Sequence, residues 1–167
     1  MITLRKIPPA KNDDASLIAT WYNDPVLRRY MSTWVRSRTH STQSIEQSLK
    51  DSDPTFEVLF MIEFEGRAIG HAGIDDINPH DKRAELFYCI GDPTFRGKKL
   101  SYDIVEELCT YGFEVLKLES MIATVMVTNE ASTKALLRNG FILVGRIPRY
   151  NFVDDDFEDE LIFSRIR

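Results

Sequence analysis

The segment Tyr88-Cys89-Ile90-Gly91-Asp92-Pro93-Thr94-Phe95-Arg96-Gly97-Lys98-Lys99-Leu100-Ser101 holds the residue types best suited to chemistry in this chain. A strand-like apolar run ends, Gly91-Asp92-Pro93 turns the chain, and a basic loop opens an amphipathic stretch. The first turn of a helix has unpaired N–H groups and the positive end of the macrodipole. Arg96, Lys98 and Lys99 add cations there, so the junction reads as an anion site with a pyrophosphate as its natural guest. The competing reading is a solvated basic loop. Cations at that end oppose the dipole, however, unless an anion compensates them. A Walker A loop is not met, because five residues separate Gly91 from Gly97 and Lys98 is followed by Lys99 rather than Ser or Thr. No G-x-G-x-x-G follows the first strand, which disfavours a dinucleotide fold.

The other reactive residue types narrow the chemistry further. His40, His71 and His80 show no metal-ligand spacing, and no metal is expected. Cys89 and Cys109 are too few for a disulfide framework or a four-Cys zinc site, and both read as small core residues. Chain order alone supports no Ser-His-Asp or Cys-His pairing. Lys and Arg total 21 against 26 Asp and Glu, a net charge of −5, which argues against a nucleic-acid partner. A length of 167 residues with 43% hydrophobic and 28% charged content suits one globular domain. No apolar run approaches the roughly 20 residues that span a bilayer. The stretch from Met1 to Ile7 lacks a signal-peptide core. The expectation is a soluble, cytoplasmic protein with no membrane partner.

The elements that must position the basic loop follow from periodicity. Ile2, Leu4 and Ile7 alternate with polar residues, predicting a short strand that ends at Pro8-Pro9. Asp13 or Asp14 caps a helix carrying Leu17, Ile18 and Trp21, and Asn23-Asp24-Pro25 stops it. Arg28 to Thr42 has no clear period, and a helix follows over Thr42 to Lys50. Val58 to Ile62 is a continuous apolar run, suited to a strand buried on both faces. Glu65-Gly66 reads as a hairpin turn, Ala68 to Ile74 as the next strand and Asn78 to Asp81 as another turn. Ala84 to Ile90 is a third meander strand, with Glu85, Phe87 and Cys89 on one face and Leu86, Tyr88 and Ile90 on the other. Leu100 to Leu116 has the helical period. Met121 to Val127 is a buried strand, and Asn129 to Asn139 a helix with Gly140 at its C′ position. Phe141 to Val144 and Glu160 to Ile166 close the chain as strands. A meander followed by alternating helices and strands means an α+β (mixed α/β) fold.

Three stretches carry a resemblance. Arg96-Gly97-Lys98-Lys99-Leu100-Ser101 resembles the R/Q-x-x-G-x-G/A pyrophosphate loop of the GNAT N-acetyltransferases. Asn129-Glu130-Ala131-Ser132 with Leu136-Leu137-Arg138-Asn139-Gly140-Phe141 resembles that superfamily's N-x-x-S segment and the GF run after it. Tyr111-Gly112-Phe113-Glu114-Val115-Leu116-Lys117-Leu118 is similar to the end of its central helix. Trp21-Tyr22-Asn23-Asp24-Pro25 resembles the branch of ribosomal-protein N-terminal, spermidine and nucleotide-amino-sugar acetyltransferases. The likeness covers essentially the whole chain. It implies a single domain over residues 1–167, built on a mostly antiparallel twisted sheet of about seven strands flanked by about four helices.

The resemblance also implies acetyl-CoA as cosubstrate. Residues 96–101, namely Arg96, Gly97, Lys98, Lys99, Leu100 and Ser101, would hold the pyrophosphate through backbone N–H groups. The pantetheine arm would run against the backbone near Tyr88, Cys89 and Ile90, where the sheet splays. Asn129 and Ser132 would bond that arm, and Arg138 would approach the nucleotide end. The chain departs from the pattern at three positions. Lys99 stands where Gly is usual, Ser101 where Gly or Ala is usual, and Leu136 in the slot of a tyrosine that many relatives use as general acid. A side chain at 99 either crowds the pyrophosphate or adds a cation beside it.

Acetyl transfer to an amine requires a neutral amine, whereas a free alkylamine has a pKa of about 10.4. A base must take its proton. Glu85, on the strand leading into the loop, is the expected base; the competing reading pairs it with Lys82 or Arg83 or leaves it facing water. The backbone N–H near Ile90 is the expected oxyanion donor, a contact worth about 3 kcal/mol. A thiolate of pKa near 8.5 leaves with little acid assistance, and Tyr88 is the candidate acid. On the acceptor side the candidates are Arg28, Tyr30, Trp34 and His71. The basic cluster Arg28, Arg29, Arg36 and Arg38 favours an anionic acceptor, and the acidic run Asp154 to Glu160 favours a polyamine. The competing readings are a solvated loop and a solvated hairpin turn.

The function expected is N-acetylation of a primary amine on a small molecule, an amino sugar, polyamine or amino acid. The alternatives are a ribosomal-type protein N-terminal acetyltransferase, a non-catalytic CoA-binding module, and an anion-binding domain without CoA. A homodimer is expected by analogy to the family.

Overall fold

The computed structural model describes residues 1–7 and 13–167; the expected strand end at Pro8-Pro9 lies outside the described residues. The elements run β1 (Ile2–Ile7), α1 (Asp14–Tyr22), α2 (Pro25–Arg28), α3 (Thr33–Arg36), α4 (Thr42–Lys50), β2 (Val58–Phe64), β3 (Arg67–Asn78) and β4 (Arg83–Ile90). After a short 3₁₀ turn at Pro93–Phe95 come α5 (Ser101–Thr110), β5 (Ser120–Met126), α6 (Glu130–Arg138), β6 (Ile142–Val153) and β7 (Asp156–Ile166). The strands form one seven-stranded sheet in the order β1-β2-β3-β4-β5-β7-β6. Every pairing is antiparallel except β4 with β5. The α+β expectation holds, with α1, α4, α5 and α6 as the substantial helices.

Strand β2 explains the layering. Leu59, Phe60, Met61 and Ile62 are all buried, and alternate side chains go to opposite faces of the sheet. Phe60 and Ile62 join Ile74, Leu86, Ile104 and Leu108 in the core beneath α5 and α6. Leu59 and Met61 join Ile18, Trp21, Ile45, Leu49 and Cys89 in a second core beneath α1 and α4. The helices α1, α4, α5 and α6 are each held to the sheet by buried apolar residues. In α4, Ser41 and Ser44 cap each other reciprocally, while Ile45 and Leu49 are buried one turn apart.

The stop at Asn23-Asp24-Pro25 is also a start. Asp24 accepts from the Val26 N–H, and Pro25 opens α2. The stretch without a period therefore contains the end of α2, then α3 and their turns.

Two boundaries differ from the sequence reading. The helix expected over Leu100 to Leu116 is α5 followed by a π-helical turn at Tyr111–Val115. The wider turn buries Gly112 and Phe113, and Gly112 lies so close to Met121 that a Cβ there would come within 2.4 Å of its Sδ. The closing strands are also longer than expected. The turn between them is only Asp154-Asp155, at φ 51° and 64°, the conformation of a tight two-residue hairpin. Most of the acidic run is therefore strand, zipped by Phe152 and Phe157 with ring centroids 5.1 Å apart. Among the described residues no helix is long and apolar enough to cross a membrane.

Candidate active site

The parallel pair β4–β5 sets the geometry of the site. Its register covers only Arg83↔Ser120, Ala84↔Met121 and Glu85↔Ile122. Beyond Glu85 the strands part. β5 stays paired to β7 along its whole length, while β4 continues to Ile90 on β3. Leu86, Phe87 and Tyr88 on one side of the gap, and Ala123 to Met126 on the other, line a cavity of about 730 Å³. The splay expected near Tyr88 to Ile90 is thus present, and the cavity passes from one face of the sheet to the other.

On the α5–α6 face the loop after β4 is built for an anion. Gly97 and Lys99 both have positive φ, 74° and 62°. Lys99 thereby adopts the left-handed conformation that glycine reaches without strain. No side chain caps α5. The backbone N–H groups of residues 97–101 have no acceptor among the described residues. Adjacent free amides at a helix N-terminus fit a diphosphate.

The three basic side chains behave differently from one another. Arg96 turns inward, with Nε donating to the Ile90 carbonyl at 3.0 Å and Nη2 to the Gly91 carbonyl and to Asp24 Oδ2 at 2.6 Å each. It holds the loop in place instead of presenting its charge. Lys98 lies over the Phe95 ring, 5.0 Å from the centroid. Lys99 is exposed.

The other residues expected to hold CoA divide into two groups. Asn129 and Ser132 line the cavity, and Asn129 also caps α6 by accepting from the Ser132 N–H. The Tyr88 hydroxyl donates to Ser132 Oγ at 3.1 Å. Burial raises the Tyr88 phenol above its ordinary range, partly offset by hydrogen bonds to Ser132 and Ser101. Leu136 is buried and forms an aliphatic part of the wall, so Tyr88 supplies the phenol on this side of the gap. Cys89 points into the α1–α4 core, where burial pushes its thiol up to about 11, and it does not line the cavity. Arg138 stacks on Tyr102, 4.9 Å from the ring, and stands outside the main cavity.

The α1–α4 face holds the carboxylates. Glu57, Asp75, Glu85 and Glu160 all line the cavity, and no lysine or arginine does so among the described residues. Glu85 Oε1 accepts from Thr124 Oγ1 at 2.9 Å. Glu160 is buried, accepts from Asn151 Nδ2, and is raised by burial. Arg36 in turn donates to Asn151 Oδ1 at 3.0 Å. Burial, with Glu85 next in effect, raises Asp75 to about 7. No three described His, Cys, Asp or Glu side chains converge to hold a metal ion.

Of the expected acceptor residues, Tyr30, Trp34 and His71 line the cavity. Tyr22 and His71 are in contact, Oη to Nδ1 at 2.8 Å, and burial lowers His71 to about 4, so it is neutral at pH 7. Arg28 is not brought there: its guanidinium donates to the backbone carbonyls of Arg36 and Arg38 and stiffens the α2–α3 turn. The opposed charge clusters meet each other. Arg29 pairs with Asp154 at 2.7 Å and with Glu158. The contradiction between a basic and an acidic cluster therefore dissolves, leaving the cavity wall acidic.

Sequence reasoning missed Glu57, Asp75 and Glu160. Glu160 stands where the acidic run meets the closing strand, and strand alternation places it on the face opposite Leu161. Asp75-Asp76 at a strand end was a visible signal, since a buried strand rarely carries adjacent acids without a use.

A sheet split at a parallel pair, an uncapped helix N-terminus after the split and a cavity running through the gap define an acyltransferase that takes its acyl group from CoA. Residues 2–142 match the family described as Acetyltransferase (GNAT) domain. The chain belongs to the GNAT acetyltransferase family and is an acetyl-CoA-dependent N-acetyltransferase. It is 26% identical over 133 residues to the ribosomal-protein-serine acetyltransferase of Escherichia coli (strain K12), covering 80% of this chain and 74% of that protein. It is 27% identical over 144 residues to the acetyltransferase PseH of Campylobacter jejuni, covering 86% of each. In fold it is similar to the spermidine N-acetyltransferase of Vibrio cholerae in complex with CoA and spermine, with a TM-score of 0.87 at 21% identity over 99% of this chain and 95% of that one.

Proposed function

We propose that the acceptor is a small cationic molecule with a primary amine, a polyamine or diamine in preference to an amino sugar or amino acid. The observation that carries this reading is the cavity wall, with four carboxylates and no described lysine or arginine. An ammonium arriving there exchanges water for carboxylate oxygens, and its charge is matched.

Acetyl-CoA supplies a thioester carbonyl open to attack by an amine. The amides of residues 97–101 would hold its diphosphate, and the unpaired edge of β4 near Ile90, with Asn129 and Ser132, its pantetheine arm. The splay would bring the two substrates together, because it is where the cavity crosses the sheet. Glu85 faces the acceptor side and takes part in removing the ammonium proton. The neutral amine then attacks: a nitrogen–carbon bond forms, a carbon–sulfur bond breaks, and the second nitrogen proton accompanies the departing sulfur. Tyr88, hydrogen-bonded to Ser132, is the acid nearest that sulfur's side of the gap. The backbone N–H near Ile90 is the oxyanion donor in this scheme.

Free-thiol release from acetyl-CoA against a panel of diamines, amino sugars, amino acids and an N-terminal seryl peptide tests the reading. Diamines should give the highest kcat/KM. Preference for the peptide would favour the ribosomal-type alternative, and thiol release with none of them would favour a CoA-binding module.

A cytoplasmic location and a homodimer belong to the same proposal. The exposed apolar residues Ile142, Leu143, Val144 and Phe152 on the edge strand β6 support self-association. Sedimentation equilibrium of the wild type and of Leu143→Lys tests it.

A further inference from the structure

We propose that Asp75 and Glu85 act as one proton-accepting pair, with Asp75 the member that receives the proton of the acceptor's ammonium. The inference rests on the amine-acetylating reading above and deepens it.

The two residues are direct cross-strand partners, Asp75 on β3 and Glu85 on β4, and both line the cavity. Cross-strand partners share a face of the sheet at short range. Glu85 is also the last residue of β4 in register with β5, so the pair stands at the mouth of the splay. Immediately after Asp75 the register to β4 slips, because Asp75↔Glu85 is followed by Asn78↔Arg83, and Asp76 adopts a φ of 46°. Such a bulge re-aims the strand next to it and is a frequent neighbour of active sites.

The two carboxyls are not equivalent. Glu85 accepts the Thr124 hydroxyl at 2.9 Å. No described side chain donates to Asp75. Burial, then Glu85, Glu57 and Asp76 raise it to about 7. Asp76 is itself tied to Arg83 at 2.6 Å, and Glu160 stands beyond Thr124 on the far side of Glu85. The charged groups that act on Asp75 are the carboxylates of Glu85, Glu57 and Asp76, with no cation among them. His71 Nε2 is a buried polar atom without a partner, on a residue 4% exposed that lines the same cavity four positions before Asp75 on β3. A carboxyl whose affinity for protons lies near neutrality is a better acceptor for an amine proton than an ordinary one. In the step, an N–H bond of the ammonium breaks and an O–H bond forms on Asp75. The pair goes from two negative charges to one, and the proton returns to solvent after turnover.

The pH dependence of kcat/KM with acetyl-CoA and spermidine, paired with ¹³C-NMR titration of the Asp carboxyls, tests the pair. The wild type should gain activity as pH rises through neutrality. Asp75→Asn should lose that limb and fall about tenfold or more at pH 7. Glu85→Gln should move the Asp75 carboxyl signal to a titration lower by about a unit, because it removes a neighbouring negative charge. An unshifted activity limb in Asp75→Asn, or an Asp75 signal that titrates identically in Glu85→Gln, overturns the proposal. If spermidine is not acetylated, the acceptor reading falls and the NMR titration alone decides the pair.

Discussion

Arg96 Nη2 and Asp24 Oδ2 are 2.6 Å apart, and this one contact joins the two halves of the site. Asp24 caps α2 on the acceptor side, whereas Arg96 opens the loop that offers its amides to the diphosphate. The same guanidinium holds the carbonyls of Ile90 and Gly91, so the end of β4 and the loop move as one piece. Burial, the largest single effect, pushes the Asp24 carboxyl up, but the Arg96 hydrogen bond and charge together with the Val26 and Leu27 N–H groups hold it below its usual range. Arg96→Ala should weaken CoA binding severalfold and cost about 1–2 kcal/mol of stability, a fall in Tm of about 3–6 °C. Calorimetric titration with CoA and a thermal melt measure both. Unchanged affinity would limit Arg96 to a role in stability.

Lys99 concerns the same loop but a different quantity. Its φ of 62° is a conformation that side chains adopt at a cost of about 1 kcal/mol. Lys99→Gly should therefore raise Tm, while Lys99→Ala, which keeps the strain and loses the charge, should not. Both should bind CoA more weakly than the wild type if the exposed ammonium sits beside the diphosphate. Equal melting temperatures for the two variants would show that the backbone carries no strain there.

Glu85 and Thr124 form a donor–acceptor pair across the widening gap, 2.9 Å apart. Glu85→Gln should lower kcat at neutral pH by about a hundredfold with little change in Tm. Thr124→Val keeps the volume and removes the donated hydrogen bond, so its loss should be about tenfold or less. A Thr124→Val defect as deep as that of Glu85→Gln would mean that the hydroxyl itself touches a substrate.

Stability against pH separates half-buried Asp75 from buried His71, two groups of opposite sign. Asp75, raised to about 7 by burial, binds its proton more tightly folded than unfolded, so its contribution is complete below the ordinary Asp range and is lost as pH rises toward 7. His71, lowered to about 4 by burial, is held neutral, so its contribution is complete above 6.5 and is lost as pH falls toward 4. Between those limits the two slopes oppose each other and the wild type should vary little on their account. Asp75→Asn should expose the His71 slope, worth roughly 2–3 kcal/mol across the window, and should be more stable than wild type at pH 8. Chemical denaturation at pH 4.5, 6 and 8 measures it. A flat profile in the variant would refute the assignment.

The sequence made much of the frame legible. The apolar run of β2, the span of α4 over Thr42 to Lys50, the hairpin at Glu65-Gly66 and the two faces of β4 are local properties, and each was readable from residue type and spacing. The anion loop was readable for the same reason, since uncapped amides and nearby glycine are consecutive in the chain. What escaped were residues whose roles depend on partners far along the chain. Arg28 looked like a free cation but is bound to carbonyls of the next turn, and Arg29 is matched by acids more than a hundred residues away. Glu160 looked like one more acid of a charged run until the sheet buried it.

Periodicity and turn chemistry thus determined which segments became strands and helices, because those preferences act between near neighbours. The family resemblance carried by the motifs implied acetyl-CoA as the donor. Only the tertiary structure decided where the sheet opens, which carboxylates stand in that opening, and which charges cancel before a ligand reaches them. Those outcomes depend on pairing between distant strands and on the water removed when the layers pack, and neither quantity is carried by any single stretch of chain.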